Sequence, residues 1–330
     1  CFFCYVSIDS IIPHIINWSV IIPLILIDLV DIPKSIATDC ASPVIAAIPG
    51  IGIVGTVFDV VIPIVSAFNP ILLVSKLLEY PIKSIRVLDI DEHALFKLNK
   101  KLKDSRLRIL LGSILDQDRI DMAGDGVDIV FHLAAIKNIE ISEFNPIETI
   151  DTNVNGTVNI VKMLIKKKPK IFINISTDKA ADASTLYGNT KQLGERLTSW
   201  AGFHIKETKS ATIRFGNVIE TRGNVFEIWN EELKHNKPLS ITEPLMKRYF
   251  IHSNEVVEFI LNCTIIANMG EIFIPKMGLF TIKELANKIS KKHKIIGLRQ
   301  GEKLQEKLLS SEEELIAVKK SNMWVIKPFK

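Results

Sequence analysis

From residue 76 onward, apolar runs of strand length alternate with segments of helical periodicity, and this alternation limits the fold more than any other feature of the chain. The runs "SIRVLDID" (84–91), "LRILLGS" (107–113), "GVDIVFHLAA" (126–135), "KIFINIST" (170–177) and "SATIRFGNV" (210–218) read as strands. "EHALFKLNKKL" (92–102), "NPIETIDTNVNGTVNIVKMLIKK" (145–167) and "LYGNTKQLGERLTSWA" (186–201) read as helices, the second opening on an Asn-Pro cap pair. Strands separated by helices pair in parallel, through right-handed crossovers. The pattern predicts an α/β fold with a doubly wound parallel sheet, which binds ligands beyond the carboxyl ends of its strands. Past residue 220 the segments shorten. "EVVEFILNCTII" (255–266) and "TIKELANKIS" (281–290) read as helices, "GEIFIPK" (270–276) and "VIKPF" (325–329) as strands, and together they predict a smaller C-terminal lobe.

Composition breaks near residue 75. Residues 1–75 hold five Asp, one Lys, no Glu or Arg, and seven of the fourteen prolines. Three parts are therefore expected: an atypical apolar segment (1–71), a doubly wound domain (72–220) and the smaller lobe (221–330). Between Ala41 and Ser75 the only charge is Asp59, which favours a membrane contact. Prolines at 13, 23, 33, 43, 49, 63 and 70 count against it, because no Pro-free apolar stretch reaches the roughly 18–20 residues of a spanning helix. No basic region precedes the apolar part, so it does not read as a secretory leader. Net charge is +4, too small for this length to suggest nucleic acid, and "KKKPK" (166–170) reads as a solvated helix end. Cys1, Cys4, Cys40 and Cys263 have no metal-ligand spacing and form no disulfide framework, so a reducing, cytoplasmic setting is expected and membrane association through residues 1–71 is the alternative.

The densest chemistry lies in "STDKAADASTLYGNTK" (176–191). Tyr187 and Lys191 are four apart and share a helical face. An ammonium beside a phenol favours the phenolate, which can accept a proton from a sugar hydroxyl. Asp178 and Lys179 follow the strand end Ser176-Thr177, where a doubly wound sheet places its site. The bland alternative is that Asp178 caps a turn and Lys179 is solvated.

With "FHLAAIKNIEISEFNPIETIDTNVNGT" (131–157), "STDKA" (176–180), "YGNTK" (187–191), "IRFGNVIETRGNV" (213–225), "GEIFIPKM" (270–277) and "IIGLRQGEKLQEKL" (295–308), the chain resembles the extended short-chain dehydrogenase/reductases. Within them it is most similar to the UDP-N-acetylglucosamine 4,6-dehydratases of surface-polysaccharide and flagellin-sugar biosynthesis. The resemblance covers roughly residues 72–327 and implies a Rossmann-like, NAD(P)-binding fold with a substrate-binding C-terminal lobe. It implies catalytic roles for Tyr187 and Lys191 at the sugar C4 hydroxyl, Asp178 as the acid for the C6 hydroxyl, and Lys179 as the base for the C5 proton. A 4-epimerase, the alternative, needs neither of the last two. Cofactor contacts are implied at Asp89, Ala134, Ala135, Asn153, Tyr187 and Lys191, and UDP-sugar contacts at Lys137, Asn217, Arg248, Arg299 and Glu302. Arginine suits the diphosphate because its planar fork matches phosphate oxygens. Asp89, ending its strand with no Arg after it, favours NAD over NADP. Relatives of this kind assemble as homo-oligomers.

The chain departs from the pattern in two places. The glycine-rich turn of the family should lie near residues 62–71, where "IPIVSAFNPI" has no glycine. The earlier "GIGIVG" (50–55), with Gly50, Gly52 and Gly55, fits the glycine spacing but lies too far from Asp89. Ser113 stands where relatives carry an Asp that reads adenine. A third reading is thus a non-catalytic relative or a membrane-attached partner.

Overall fold

The computed structural model describes residues 58–63, 70–221, 224–299 and 301–328. Along the doubly wound part the elements run β1 (Phe58–Pro63), α1 (Pro70–Leu78), β2 (Ile82–Asp89), α2 (Glu92–Leu102), β3 (Leu107–Leu111), α3 (Gln117–Ala123), β4 (Ile129–His132), α4 (Ile139–Phe144), α5 (Pro146–Ile150), α6 (Gly156–Lys167), β5 (Ile171–Thr177), α7 (Leu186–His204) and β6 (Lys209–Phe215). A single π turn, Asp151–Asn155, joins α5 to α6.

The main sheet has nine strands. Six of them, β1 to β6, lie in the order β6-β5-β4-β1-β2-β3 and pair in parallel. Sequence order reverses between β4 and β1, and the carboxyl ends of those strands open the crevice where such sheets bind ligands. The burial of β4 and β5 is total, as their continuous apolar runs require.

The central strand β1 comes from the segment set apart by composition. Val60, Val61 and Ile62 are buried between β2 and β4. Asp59, the lone charge of that stretch, is the second residue of the strand; it accepts hydrogen bonds from Ser84 Oγ (2.5 Å) and Lys83 Nζ (3.0 Å). The doubly wound domain therefore begins by residue 58, before the expected boundary at 72. Gly50, Gly52, Gly55 and residues 64–69 of the turn after β1 lie outside the described residues.

The rest of the chain continues with β7 (Asn217–Val218), α8 (Val225–Lys234), β8 (Leu239–Ile241), β9 (Lys247–Ile251), α9 (Ser253–Ile266), β10 (Met269–Pro275), β11 (Gly278–Thr281), α10 (Ile282–Ile289), β12 (His293–Ile295), α11 (Ser311–Ile316), β13 (Val318–Lys319) and β14 (Met323–Ile326). Strand β10 extends the main sheet in parallel beside β6, and β14 and β13 close that edge antiparallel. The remaining strands form a three-stranded sheet, β11-β9-β7, and a pair, β12-β8. The C-terminal part thus completes the large sheet and also builds the smaller lobe. Among the described residues no helix is long and apolar enough to cross a membrane.

Candidate active site

Strand β5 ends at Thr177, and one 3-10 turn, Asp178–Ala180, carries the acid and the lysine. Helix α7 starts six residues after that turn, with Thr185 as N-cap accepting from the Gly188 amide at 3.2 Å. A Cβ at Gly188 would overlap the Lys179 carbonyl, so glycine lets the helix press against this turn. Tyr187 is thereby held beside Lys179 and Asp178, and all three are largely buried.

Asp178 Oδ1 accepts from Lys179 Nζ and from Thr177 Oγ1, both at 3.0 Å. Its Oδ2 is buried and has no hydrogen-bond partner among the described residues. A Cβ at Gly216 would come within 3.2 Å of that oxygen and 2.8 Å of Tyr249 Cβ. Gly216 is therefore a wall of the site.

The protonation pattern differs from the simple expectation for a Tyr-Lys pair. Burial pushes the Tyr187 phenol up to about 12; Lys179 and the Thr177 hydroxyl, within hydrogen-bonding reach, offset this in part. The cation opposing the shift is Lys179 rather than Lys191. Lys191 is itself drawn down to about 8 by burial, against the pull of Glu195 one turn on. For Lys179 burial acts downward too, but Asp178 and Glu306 outweigh it and hold the amine above its ordinary value. Its resting form is the ammonium, whereas the role expected of it needs a neutral amine.

The other expected residues fall into two groups. Toward the cofactor side, Asp89 ends β2 and is buried; burial pushes its carboxyl up to about 6, and the Asp91 amide donates to its Oδ1 at 2.9 Å. Ala134 and Ala135 are buried just after β4. Asn153, on the π turn, spends its amide on the chain. Its Oδ1 accepts from Ile136 N (2.7 Å), and its Nδ2 donates to Ile136 O and Thr190 Oγ1 (3.0 Å each). It clamps the loop after β4 to α7. Ser113 Oγ accepts from the Leu115 amide at 3.1 Å. Strands β2 and β5 are three strand steps apart, about 14 Å, which separates Asp89 from the Tyr187 cluster along the sheet.

On the other side, Lys137 is drawn down by burial near Glu227 of α8, and Asn217 Nδ2 donates to Tyr249 O at 3.1 Å. Arg248, nearly buried on β9, donates to the Lys247 carbonyl at 2.9 Å and approaches Glu306. Arg299 and Glu302 are not brought to the pair. Arg299 is exposed, and the Glu302 carboxylate accepts from its backbone amide at 3.0 Å, closing a local turn.

Sequence patterns left three contributors unmarked. Glu306 is buried beside Lys179 and Asp178, and burial followed by Asp178 raises its carboxyl. Glu195 repeats the Tyr187, Lys191 interval once more along α7, a signal that periodicity could have supplied. It accepts from Ser176 Oγ at 2.6 Å and from Arg214 Nε and Nη2 at 2.9 and 2.7 Å. Arg214, on β6, also holds Glu313 and the Leu308 carbonyl, which ties the C-terminal segment to the catalytic helix.

The family model described as polysaccharide biosynthesis protein matches residues 71–328. An uncharacterized membrane protein of Methanocaldococcus jannaschii is 40% identical over 272 residues, 78% of this chain and 82% of that one. A UDP-N-acetylglucosamine 4,6-dehydratase (inverting) of Campylobacter jejuni is 34% identical over 245 residues, 72% and 73% of the two chains. A UDP-glucose 4-epimerase of Rickettsia bellii is 35% identical over 240 residues, 70% of each chain. The solved structure of Pen from Bacillus thuringiensis superposes with a TM-score of 0.76 at 31% identity, covering 82% of this chain and 88% of that one.

Proposed function

This chain belongs to the polysaccharide biosynthesis protein family, and from that membership we propose that it is a UDP-sugar 4,6-dehydratase, acting on UDP-N-acetylglucosamine or a close relative with NAD as cofactor. One observation carries the reading: Asp178 and Lys179, bonded at 3.0 Å, lie buried against Tyr187. Moving sugar stereochemistry at C4 needs a proton acceptor such as Tyr187 only. Expelling the C6 hydroxyl needs in addition an acid and a base, and this pair is both. A proton passed along the Lys179–Asp178 hydrogen bond converts ammonium and carboxylate into amine and carboxylic acid. The amine can then take the C5 proton while the acid protonates the leaving hydroxyl. General acid–base help of this kind is worth about 10²–10⁴-fold per group.

The described residues suit the cofactor at both ends. Asp89 offers a carboxylate for the ribose diol, the buried Ala134 and Ala135 are small residues just after β4, and Tyr187 and Lys191 are assigned to the nicotinamide end. Bound NAD supplies hydride acceptance at C4 and hydride return at C6. Tyr187 is assigned the proton of the C4 hydroxyl, a role that requires the buried phenol to give up its own proton first, and the Lys191 ammonium is assigned the ribose. Lys137, Asn217, Arg248, Arg299 and Glu302 are assigned to the UDP-sugar, with Arg248 buried near Glu306. Exposed apolar side chains on α5 and α7, including Ile147, Leu193, Trp200 and Phe203, support assembly as a homo-oligomer.

The Rickettsia bellii relative favours a second reading, a 4-epimerase. Incubation with UDP-N-acetylglucosamine and NAD, followed by NMR of the sugar, separates the two. A 4-keto-6-deoxy product is expected; a C4 epimer, or unchanged substrate, refutes the dehydratase reading. Asp178→Asn should lower product formation at least ~10²-fold.

A further inference from the structure

A cavity of about 390 Å³ lies near the amino ends of β1, β2 and β3, far from the acid–base cluster at the end of β5. It is on the sheet face where Val61 and Leu88 pack with Ile120 and Ala123 of α3. Parallel register sets Arg86 of β2 directly opposite Arg108 of β3, and both line the cavity. Like charges at directly opposed positions repel. The nearby carboxylates are held elsewhere: Asp59 pairs with Lys83 at 3.0 Å, Asp125 with Lys167 at 2.5 Å and Asp128 with Lys170 at 2.8 Å. Among the described residues neither arginine is ion-paired. Each guanidinium is instead anchored to the backbone through one nitrogen. Arg86 Nη1 donates to the Ala123 and Asp125 carbonyls at 2.9 and 2.6 Å, at the end of α3. Arg108 Nη1 donates to the Ser105 and Leu107 carbonyls at 2.6 and 2.9 Å. On both forks the Nε–Nη2 edge has no partner among the described residues. That is the edge with which Arg214 grips the Glu195 carboxylate.

We propose that Arg86 and Arg108 form an anion site that takes a phosphate group, carried by a soluble phosphate ester or by a lipid headgroup. A phosphate monoester brings a charge of about −1.5 to −2 at pH 7 and three acceptor oxygens, which match two cations and two open edges. Anchoring by Nη1 fixes both forks beforehand, so little side-chain freedom is lost on binding. Leu110 and Met122, also in the lining, give apolar contact to whatever carries the phosphate. The site is distinct from the expected ribose contact. Asp89 follows Arg86 by three residues, about 10 Å along β2, and an odd interval on a strand points to the opposite face. The dehydratase reading uses none of these residues, so the two readings fail separately.

Thermal unfolding of the full chain, with sodium phosphate replacing sodium chloride at constant ionic strength, tests the site. Phosphate should bind the parent with a Kd of about 1 mM and raise Tm by about 5 °C at ~100 mM. Arg108→Gln should bind at least about tenfold more weakly, and Arg108→Lys, which keeps the charge but not the fork, should fall between. In chloride alone Arg108→Gln should melt no lower than the parent, because Arg108 is exposed and its removal relieves a repulsion. A lost response is then not a lost fold. Phosphate held in a nucleotide pocket, or a general salt effect, would move parent and variant equally. Flotation with vesicles of phosphatidylcholine and phosphatidylglycerol in equal parts separates the two sources. A parent that responds to phosphate, and floats no better than Arg108→Gln, assigns a soluble ester. A parent that floats where Arg108→Gln does not assigns a headgroup. Equal phosphate shifts in parent and Arg108→Gln, or no shift in the parent by ~100 mM, overturn the site whatever the vesicles show.

Discussion

Replacing Arg214 by methionine should cost more stability than any other single change near the site. The guanidinium is 1% exposed and makes five hydrogen bonds: two to Glu195 (2.9 and 2.7 Å), two to Glu313 (2.7 and 2.8 Å) and one to the Leu308 carbonyl (3.0 Å). Methionine fills much of the volume but strips Glu195, 3% exposed, of both guanidinium hydrogen bonds, leaving it the Ser176 hydroxyl and the attraction of Lys191 one turn back. Breaking a buried pair from one side typically costs about 3–5 kcal/mol, most of it the stranded charge. Against a total stability of about 5–15 kcal/mol this is a large fraction. The stranded charge can be removed separately. The double variant Arg214→Met with Glu195→Gln should recover at least about 1–2 kcal/mol of the loss, because a neutral amide is cheaper to bury. Urea unfolding followed by circular dichroism reads both numbers. A loss below about 1 kcal/mol for Arg214→Met, or a double variant no better than the single, would refute the account.

Gly216→Ala should keep the fold but lower turnover about 10²-fold, since the new methyl lands 2.8 Å from Tyr249 Cβ and 3.2 Å from Asp178 Oδ2 and must displace one of them. His132, wholly buried with Nε2 donating to Thr157 at 3.0 Å, is held down to about 3 by burial, with Lys191 adding to it. Its folded pKa lies below the unfolded value, so its contribution is intact above pH 6.5 and is lost as pH falls toward 3. Between pH 6.5 and 5 the parent should lose about 1.6 kcal/mol in all that His132→Gln does not lose, measured by urea midpoints. Asp89, pushed up to about 6 by burial, has the opposite sign: its contribution is full below 3.8 and lost as pH rises through 6. If Asp89 holds the ribose as proposed, NAD affinity should be about tenfold weaker at pH 5 than at pH 7.5 by calorimetry, and Asp89→Asn should flatten that dependence.

The alternation of strands and helices was legible because parallel strands buried on both faces write continuous apolar runs, and β4 and β5 are such strands. The Tyr187–Lys191 interval was legible because helical geometry fixes what four residues apart means. Strand β1 was not. Its six residues end at Pro63, and Pro70 follows seven residues on; amid so many prolines neither length nor alternation marks a central strand. Arg214 reads as one more charge in a strand. What makes it a lock is Glu313, 99 residues away, and no local pattern carries that distance. The expected depression of Tyr187 failed for a related reason. Interval places a lysine near the phenol, but burial, a property of the whole fold, acts more strongly and in the other direction.

The glycine-free turn after β1 bears on affinity more than on chemistry. In a doubly wound fold the pyrophosphate meets backbone N–H groups at the start of the first helix, and glycine permits the close approach. Here α1 opens with Pro70, which brings no N–H to the first helical position, and no acidic residue stands in the first turn to oppose an anion. The helix dipole is therefore kept while one donor and the glycines are missing. The acid–base groups sit at the end of β5, two strands beyond β1 in the sheet, and depend on none of these residues. On the dehydratase reading, a weakened cofactor site would appear as a higher NAD requirement, with the contact between Asp178 and Lys179 beside Tyr187 unchanged.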